Sequence, residues 1–236
     1  MRPLLTILYE DEYFIAIDKP AGVLVHKTNI AKEEEELLAV QMLRDQINCR
    51  VYPLHRIDRP TTGVLIFGKS SEAASLLQPL FPTDAVEKEY LTVVRGFMPT
   101  ESGEIESPLK KNLVGELQEA LTLYTSIAQT EIPFPSSPRY PTSRYSLIKA
   151  FPKTGRMHQI RRHMAHIRHY IIGDSTHGDN KQNNFFRSQY GLQNMLLHAY
   201  NLRFNHPIHK IQIEINAPLP KHFLEITDKI GLDTPF

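Results

Sequence analysis

The chain has 236 residues, of which 41% are hydrophobic, and a formal net charge of +1. That is enough apolar material for one large domain or two small ones, and it excludes the disordered and fibrous classes. The single cysteine, Cys49, has no internal disulfide partner and no neighbouring thiolate for a zinc site, so a small packed residue is its expected role. The N-terminus lacks the basic, apolar and small-residue pattern of a secretory leader, and no apolar run is long enough to span a bilayer; a cytoplasmic protein without a membrane segment is expected.

Charge is segregated along the chain. Residues 33–36 are all glutamate, whereas residues 132–173 contain no Asp or Glu. That acid-free interval carries Arg139, Arg144, Lys149, Lys153, Arg156, Arg161, Arg162 and Arg168, with His158, His163, His166 and His169 among them. Such a block suits a polyanion, because Lys and Arg contacts to phosphate supply most nonspecific nucleic-acid affinity. A solvated helix face has the same composition.

Residues 4–18 alternate and end in an apolar run, which predicts two strands around a turn at residues 10–12. Lys19, Pro20, Ala21 and Gly22 follow as a turn. Residues 34–47 have apolar positions near helical spacing, and their acidic start suits the positive end of a helix dipole. A strand at residues 51–54 leads through His55, Arg56, Ile57, Asp58, Arg59, Pro60, Thr61, Thr62 and Gly63 into a second buried strand at residues 64–67. Ser70 or Ser71 caps a helix reaching Leu80. Residues 86–94 alternate, so Lys88, Tyr90 and Thr92 share one side of a strand.

The Pro- and Ser-rich residues 130–145 read as a long loop or insertion, and strand signal returns at residues 145–151. Met157, Ile160, Met164 and Ile167 recur at steps of three and four, predicting a helix with Thr154 and Gly155 at its start. Late strands are expected at residues 196–204 and 211–215, joined by a turn at Asn205, His206 and Pro207. The sequence contains no internal repeat.

The segment His55-Arg56-Ile57-Asp58-Arg59 places a carboxylate between arginines in a loop between buried strands. Neighbouring cations favour the ionised carboxylate, which suits a nucleophile better than a general acid. An ordinary Arg-Asp-Arg salt-bridge loop has the same sequence. What separates the two is the ordered set of further segments: Lys88-Glu89-Tyr90, then Thr154-Gly155-Arg156-Met157-His158-Gln159-Ile160-Arg161. With them stand Lys19-Pro20-Ala21-Gly22, Ile172-Gly173-Asp174, His177-Gly178 and Leu197-His198-Ala199. Together they resemble the RluA family of pseudouridine synthases over almost the whole chain. Ile57, Thr62 and Met157 stand where that family more often has leucine, serine and a polar residue.

The resemblance implies an α+β fold, with a mixed, mostly antiparallel sheet flanked by helices and bisected by the active-site cleft. It implies one catalytic domain over residues 1–236 and no N-terminal accessory RNA-binding domain. The implied reaction cleaves the uracil–ribose bond, turns the base and rejoins it through carbon, with no cofactor and no metal. Asp58 corresponds to the catalytic carboxylate; attack on the sugar, attack on the ring and removal of a ribose proton are all compatible with that position. Tyr90 corresponds to the aromatic residue packed on the target uracil, and Arg161 to the arginine paired with the carboxylate. Arg56 corresponds to the residue that fills the space left by the extruded uridine. Arg59, Lys88, Arg156 and Arg162 are expected RNA contacts. The implied partner is RNA, with no membrane and no obligate protein partner.

Arg59-Pro60-Thr61, Arg139 to Tyr145, Arg161-Arg162-His163 and Gly191-Leu192-Gln193 are most similar to family members that act on tRNA, which implies uridine 65 of the T-stem; ribosomal RNA is the alternative within the same family. Two other classes compete. A metal hydrolase built on His158, His163, His166 and His169 lacks an H-E-x-x-H arrangement and any nearby acidic ligand or base. A noncatalytic RNA-binding protein has no use for a loop carboxylate facing phosphates, and loss of Asp58, Tyr90 or Arg161 would be expected of it.

Overall fold

The computed structural model describes residues 3–26, 37–136 and 138–234. In chain order the elements are β1 (Thr6–Glu10), β2 (Phe14–Lys19), α1 (Ala39–Ile47), β3 (Tyr52–Pro53), β4 (Thr62–Gly68), α2 (Ser71–Leu77), β5 (Val86–Arg95), β6 (Ser102–Glu106), β7 (Leu109–Lys110) and β8 (Leu117–Gln118). They continue with β9 (Leu121–Ile132), β10 (Ser143–Pro152), α3 (Gln159–His166), α4 (Asn180–Tyr190), β11 (Leu197–Asn205), β12 (Gln212–Asn216) and α5 (Lys221–Lys229). The architecture is α+β, a mixed and mostly antiparallel sheet flanked by helices. Two units form, Met1–Lys88 with Ala199–Pro218, and Glu89–His198 with Leu219–Phe236. No helix among the described residues is long and apolar enough to cross a membrane.

In the first unit β2 and β4 pair antiparallel from Phe14↔Gly68 to Lys19↔Gly63. Successive side chains of a strand point to opposite faces, so Phe14, Ala16, Val64 and Ile66 join Ala73 and Leu77 of α2 and Ile213 and Ile215 of β12. Ile15, Ile17, Leu65 and Phe67 point the other way, onto Met42 and Leu43 of α1. Because helices cover both faces, β4 is buried at every position. A strand covered on both faces reads as a continuous apolar run rather than an alternation.

The helix expected over residues 34–47 begins at Ala39. Residues 34–36 lie outside the described residues, and Leu38 pairs with Leu24 in a short parallel bridge. No acidic residue stands in the first turn of α1, and the glutamates expected at the helix start lie outside the described residues. The Ser70 hydroxyl caps α2 as expected, accepting from Ala73 N at 3.1 Å. The helix tightens after Leu77 into a 3-10 turn over Gln78–Leu80, where Pro79 offers no N–H.

In the second unit β5, β10, β9 and β6 form successive antiparallel pairs. The ladder between β9 and β10 runs as far as Ile132↔Ser143. The loop expected over residues 130–145 is therefore shorter, residues 133–142. Ile160 and Met164 of α3 pack with Val94, Ile148, Ala150 and Ile171, each large side chain worth roughly 1.5–3 kcal/mol on burial. The α3 helix starts at Gln159, later than expected, because the Gln159 side chain accepts from Thr154 Oγ1 and Arg156 N and holds residues 154–158 as a turn.

Gly63 has φ +107, and a Cβ added there would stand 2.2 Å from the Ala199 carbonyl oxygen of β11. Gly22 has φ +85 but open space around it. Gly22→Ala is expected to lose only the conformational term of about 1–2 kcal/mol, whereas Gly63→Ala adds a backbone clash and is expected to lose more than about 3 kcal/mol. Urea unfolding of the two variants measures the difference.

Candidate active site

The first unit carries the Asp58 loop between β3 and β4. Its shape is set by backbone and by one buried side chain. Thr61 N donates to the Asp58 carbonyl at 3.0 Å, closing a turn over residues 58–61. Gly22 N donates to the Arg59 carbonyl at 2.9 Å, and Arg59 Nε returns a bond to the Gly22 carbonyl at 3.0 Å. Lys19 has no solvent exposure, and its Nζ donates to the carbonyls of Pro20 and Val23 at 2.9 Å and of Arg59 at 3.2 Å. An ammonium has three N–H donors, one for each of these acceptors.

Electrostatics make Lys19 a sensitive member of this loop. Burial pushes its pKa down to about 7, while the negative charges of Asp58 and Asp18 oppose the fall and Arg59 adds to it. Asp18 beside it is pushed up to about 6 by burial, against the Gly63 N–H and the Lys19 charge. His55 stacks on Phe81 with ring centroids 4.6 Å apart and accepts from Ile66 N. Burial and the nearby Lys88 charge lower its pKa to about 3, so it stays neutral. Lys88 itself donates to the Phe81 carbonyl at 2.7 Å. Arg56 and Arg59 are exposed on the loop.

The second unit carries Tyr90 and Arg161. Tyr90 is half-buried on β5 opposite Ala150, packed against the core that holds Ile160 and Met164. Arg161 is buried and makes a bidentate pair with Asp174, Nε to Oδ2 at 2.7 Å and Nη2 to Oδ1 at 2.8 Å. Burial pushes the Asp174 carboxyl upward, yet its bonds from Arg161 and from the N–H groups of His177 and Thr176 outweigh that and hold it below the usual range. Asn183 of α4 fixes the same loop, donating to the Asp174 carbonyl and accepting from Gly173 N, each at 2.8 Å. Arg156 donates to the Glu119 carbonyl and Arg162 to the carbonyls of Lys110 and Met157.

Sequence reasoning assigned no individual role to Lys19, Asp174 or Asn183. Lys19 and Asp174 lie inside segments that carry the family resemblance, so their positions were visible and their partners were not. Asn183 had no signal at all. Three of the four histidines weighed as metal ligands have structural partners: His163 is buried, with Nδ1 against Thr122 Oγ1 and Nε2 against the Ser107 carbonyl, His158 bonds His177 at 2.8 Å, and His169 Nδ1 meets the Arg95 carbonyl at 3.0 Å. Among the described residues, Asp11, His206 and His209 come within metal-ligating distance of one another. His206 Nδ1 accepts from Ile208 N and His209 N, and Nε2 bonds Asp11, so both ring nitrogens are already used.

A sequence model of the RNA pseudouridylate synthase family matches residues 13–166. A protein of Vibrio vulnificus, tRNA pseudouridine synthase C, is 45% identical over 96% of this chain and 95% of its own. The protein of that name from Vibrio parahaemolyticus is 46% identical over 99% and 98%. Among solved structures, human RNA pseudouridylate synthase domain containing 4 superposes with a TM-score of 0.75 at 21% identity, covering 98% of this chain and 95% of that one. At that identity the likeness concerns the fold.

Asp174→Asn removes the charge of the bidentate partner of the buried Arg161 guanidinium and is expected to lose about 3–5 kcal/mol in urea unfolding. Lys19 titrates lower in the folded chain than at its ordinary 10.5. Above pH 7 the unfolded chain therefore keeps a proton that the folded chain sheds, and the contribution of this group to stability rises from about pH 7 towards 10.5. Unfolding of wild type and Lys19→Met across that window is expected to show a difference that grows with pH; a flat difference would mean that the three carbonyls keep the ammonium charged.

Proposed function

Since this chain belongs to the RNA pseudouridylate synthase family, we propose that it isomerises uridine to pseudouridine in tRNA, at uridine 65 of the T-stem, in the cytoplasm. The observation that carries the substrate reading is near-full-length identity of about 45% to proteins named tRNA pseudouridine synthase C. The matched region covers 96% and 99% of this chain in the two cases, loops and core together.

In this reading Asp58 is the catalytic carboxylate, Tyr90 the aromatic surface for the uracil ring and Arg161 the supporting cation. The reaction breaks the bond from ribose C1′ to N1 of uracil and forms one from C1′ to C5, while the C5 proton leaves and N1 gains one. Substrate and product have the same atoms, so no co-substrate is consumed. What the enzyme must supply is a held geometry while the base is detached, and positioning of that kind is worth several kcal/mol of barrier. The turn at Asp58, pinned by Lys19 and Gly22, supports a carboxylate of fixed position. Exposed Arg56 and Arg59 suit the extruded nucleotide and its phosphates.

The test uses purified, chelator-treated protein and unmodified tRNA transcript, with pseudouridine mapped by carbodiimide treatment and primer extension. Product at uridine 65 alone is expected. Product only on ribosomal RNA would move the substrate within the family. Asp58→Asn is expected to lower turnover by more than about 10³-fold while tRNA binding stays within a few-fold, and retained turnover would remove Asp58 from the chemistry.

A further inference from the structure

The hairpin loop at residues 133–142 is built against α4 rather than left as a tether. Gln182, 1% exposed, donates through Nε2 to Ser136 Oγ at 2.6 Å and accepts through Oε1 from the Tyr145 hydroxyl at 2.9 Å. Ser143 Oγ donates to the Phe134 carbonyl at 2.8 Å and receives Ser136 N at 2.8 Å. Gln182 also lines an open cavity of about 760 Å³, together with Arg95, Pro138, Arg139, Asp179, Asn180 and Lys181. The volume is large enough for a phosphodiester with its flanking sugars and far exceeds that of one ion.

The charges in the cavity do not cancel. Asp179 is already used, by Arg95 Nη1 at 2.7 Å and by the N–H groups of Lys181 and Gln182 that it caps. Arg139 and Lys181 are exposed, and among the described residues no carboxylate stands within ion-pair distance of either. The Arg139 guanidinium lies 5.2 Å from the centroid of the exposed Tyr140 ring, which adds a flat face beside the cations. Exposed cations without a carboxylate partner among the described residues, one of them held over an aromatic ring, suit the phosphates of a nucleic-acid strand.

We propose that this cavity is a binding subsite for backbone phosphates of the substrate RNA, with Arg139 and Lys181 as its contacts, and that the 133–142 loop exists to present it. The identity of that RNA as tRNA rests on the function proposed above. The loop is held before binding, so little ordering entropy is lost when the strand arrives.

Titration of fluorescent tRNA transcript with the double variant Arg139→Gln, Lys181→Gln tests the subsite. Affinity at 0.1 M salt is expected to weaken on the order of tenfold, and the slope of log K against log salt to flatten by about 2, one per lost phosphate contact. The melting temperature is expected to stay at the wild-type value. Removing two charges elsewhere, with Lys221→Gln and Lys229→Gln on α5, is expected to leave affinity unchanged. Unaltered affinity and slope in the first variant, or an equal loss in the α5 variant, overturns the subsite. Binding reads the cavity whether or not pseudouridine forms, so an inactive wild type would sink the tRNA reaction while the affinity comparison still decides the subsite.

Discussion

The Asp58 loop depends on an ammonium group placed where water cannot reach it. Lys19 ends β2, which lies between β1 and β4, and its Nζ meets the carbonyls of Pro20, Val23 and Arg59. Burying a charge is unfavourable unless its hydrogen bonds are replaced and opposite charge is near. Both conditions hold here, and both constrain the chain: the turn after β2 must curl back on itself, and the loop before β4 must bring a carbonyl to the same point. Asp58 is one residue from that carbonyl. Its backbone is therefore located from two sides, by the Lys19 bond to Arg59 and by the reciprocal bonds between Arg59 and Gly22.

A similar device operates in the second unit with its signs reversed in emphasis. Arg161 projects from α3 into the interior, and the Asp174 segment is folded so that its carboxylate accepts from the Nε and Nη2 edge of the guanidinium. Asn183 and the N–H groups of Thr176 and His177 complete the satisfaction of that segment. These buried cations are architectural as well as chemical, and they differ from exposed Arg56, Arg59, Arg139 and Lys181, whose charge is presented to solvent. The acid-free interval 132–173 is correspondingly not a uniform cationic stripe. Arg144 is paired with Glu131, Arg161 with Asp174, and Lys149 with Glu89, all partners from outside the interval.

The parts of the fold that were legible in the sequence are those where local pattern and tertiary packing agree. The continuous apolar run of β4 and the Ser70 cap state in local residues what the structure does with them, whereas β5 forms where it was expected but buries Leu91 to Val94 in succession instead of alternating. The unread parts are those where a distant contact decides. The strands β6 and β9 and the hairpin of β7 and β8 were not anticipated, since their sequences are polar on one face and gain their pairing from β10 and from each other. The α4 helix was missed because its residues include three asparagines and few strong helix formers; Asp179 at one end and Gly191 in the left-handed region at the other delimit it. For the candidate site, Asp58, Tyr90 and Arg161 were singled out through ordered motifs, whereas the contacts of Lys19 with three carbonyls and of Asp174 with Arg161 required coordinates, because contacts between distant residues leave no mark on spacing alone.

Fold and substrate are recorded in different places in this molecule. A human structure only 21% identical keeps the same fold with a TM-score of 0.75, so the sheet and its helices tolerate replacement of most of their residues. Core positions accept any side chain of suitable volume and polarity. Phosphate contacts are different: they require a cation at a particular point on the surface but contribute little to the core, so they can be gained or lost without harm to folding. The 133–142 loop joins the two demands. Its buried serines and Gln182 hold the backbone as a core would, and its exposed Arg139 offers charge as a surface would. Under the proposed subsite, the buried bonds of Ser136 and Ser143 are what would keep a substrate's phosphates in register with Arg139.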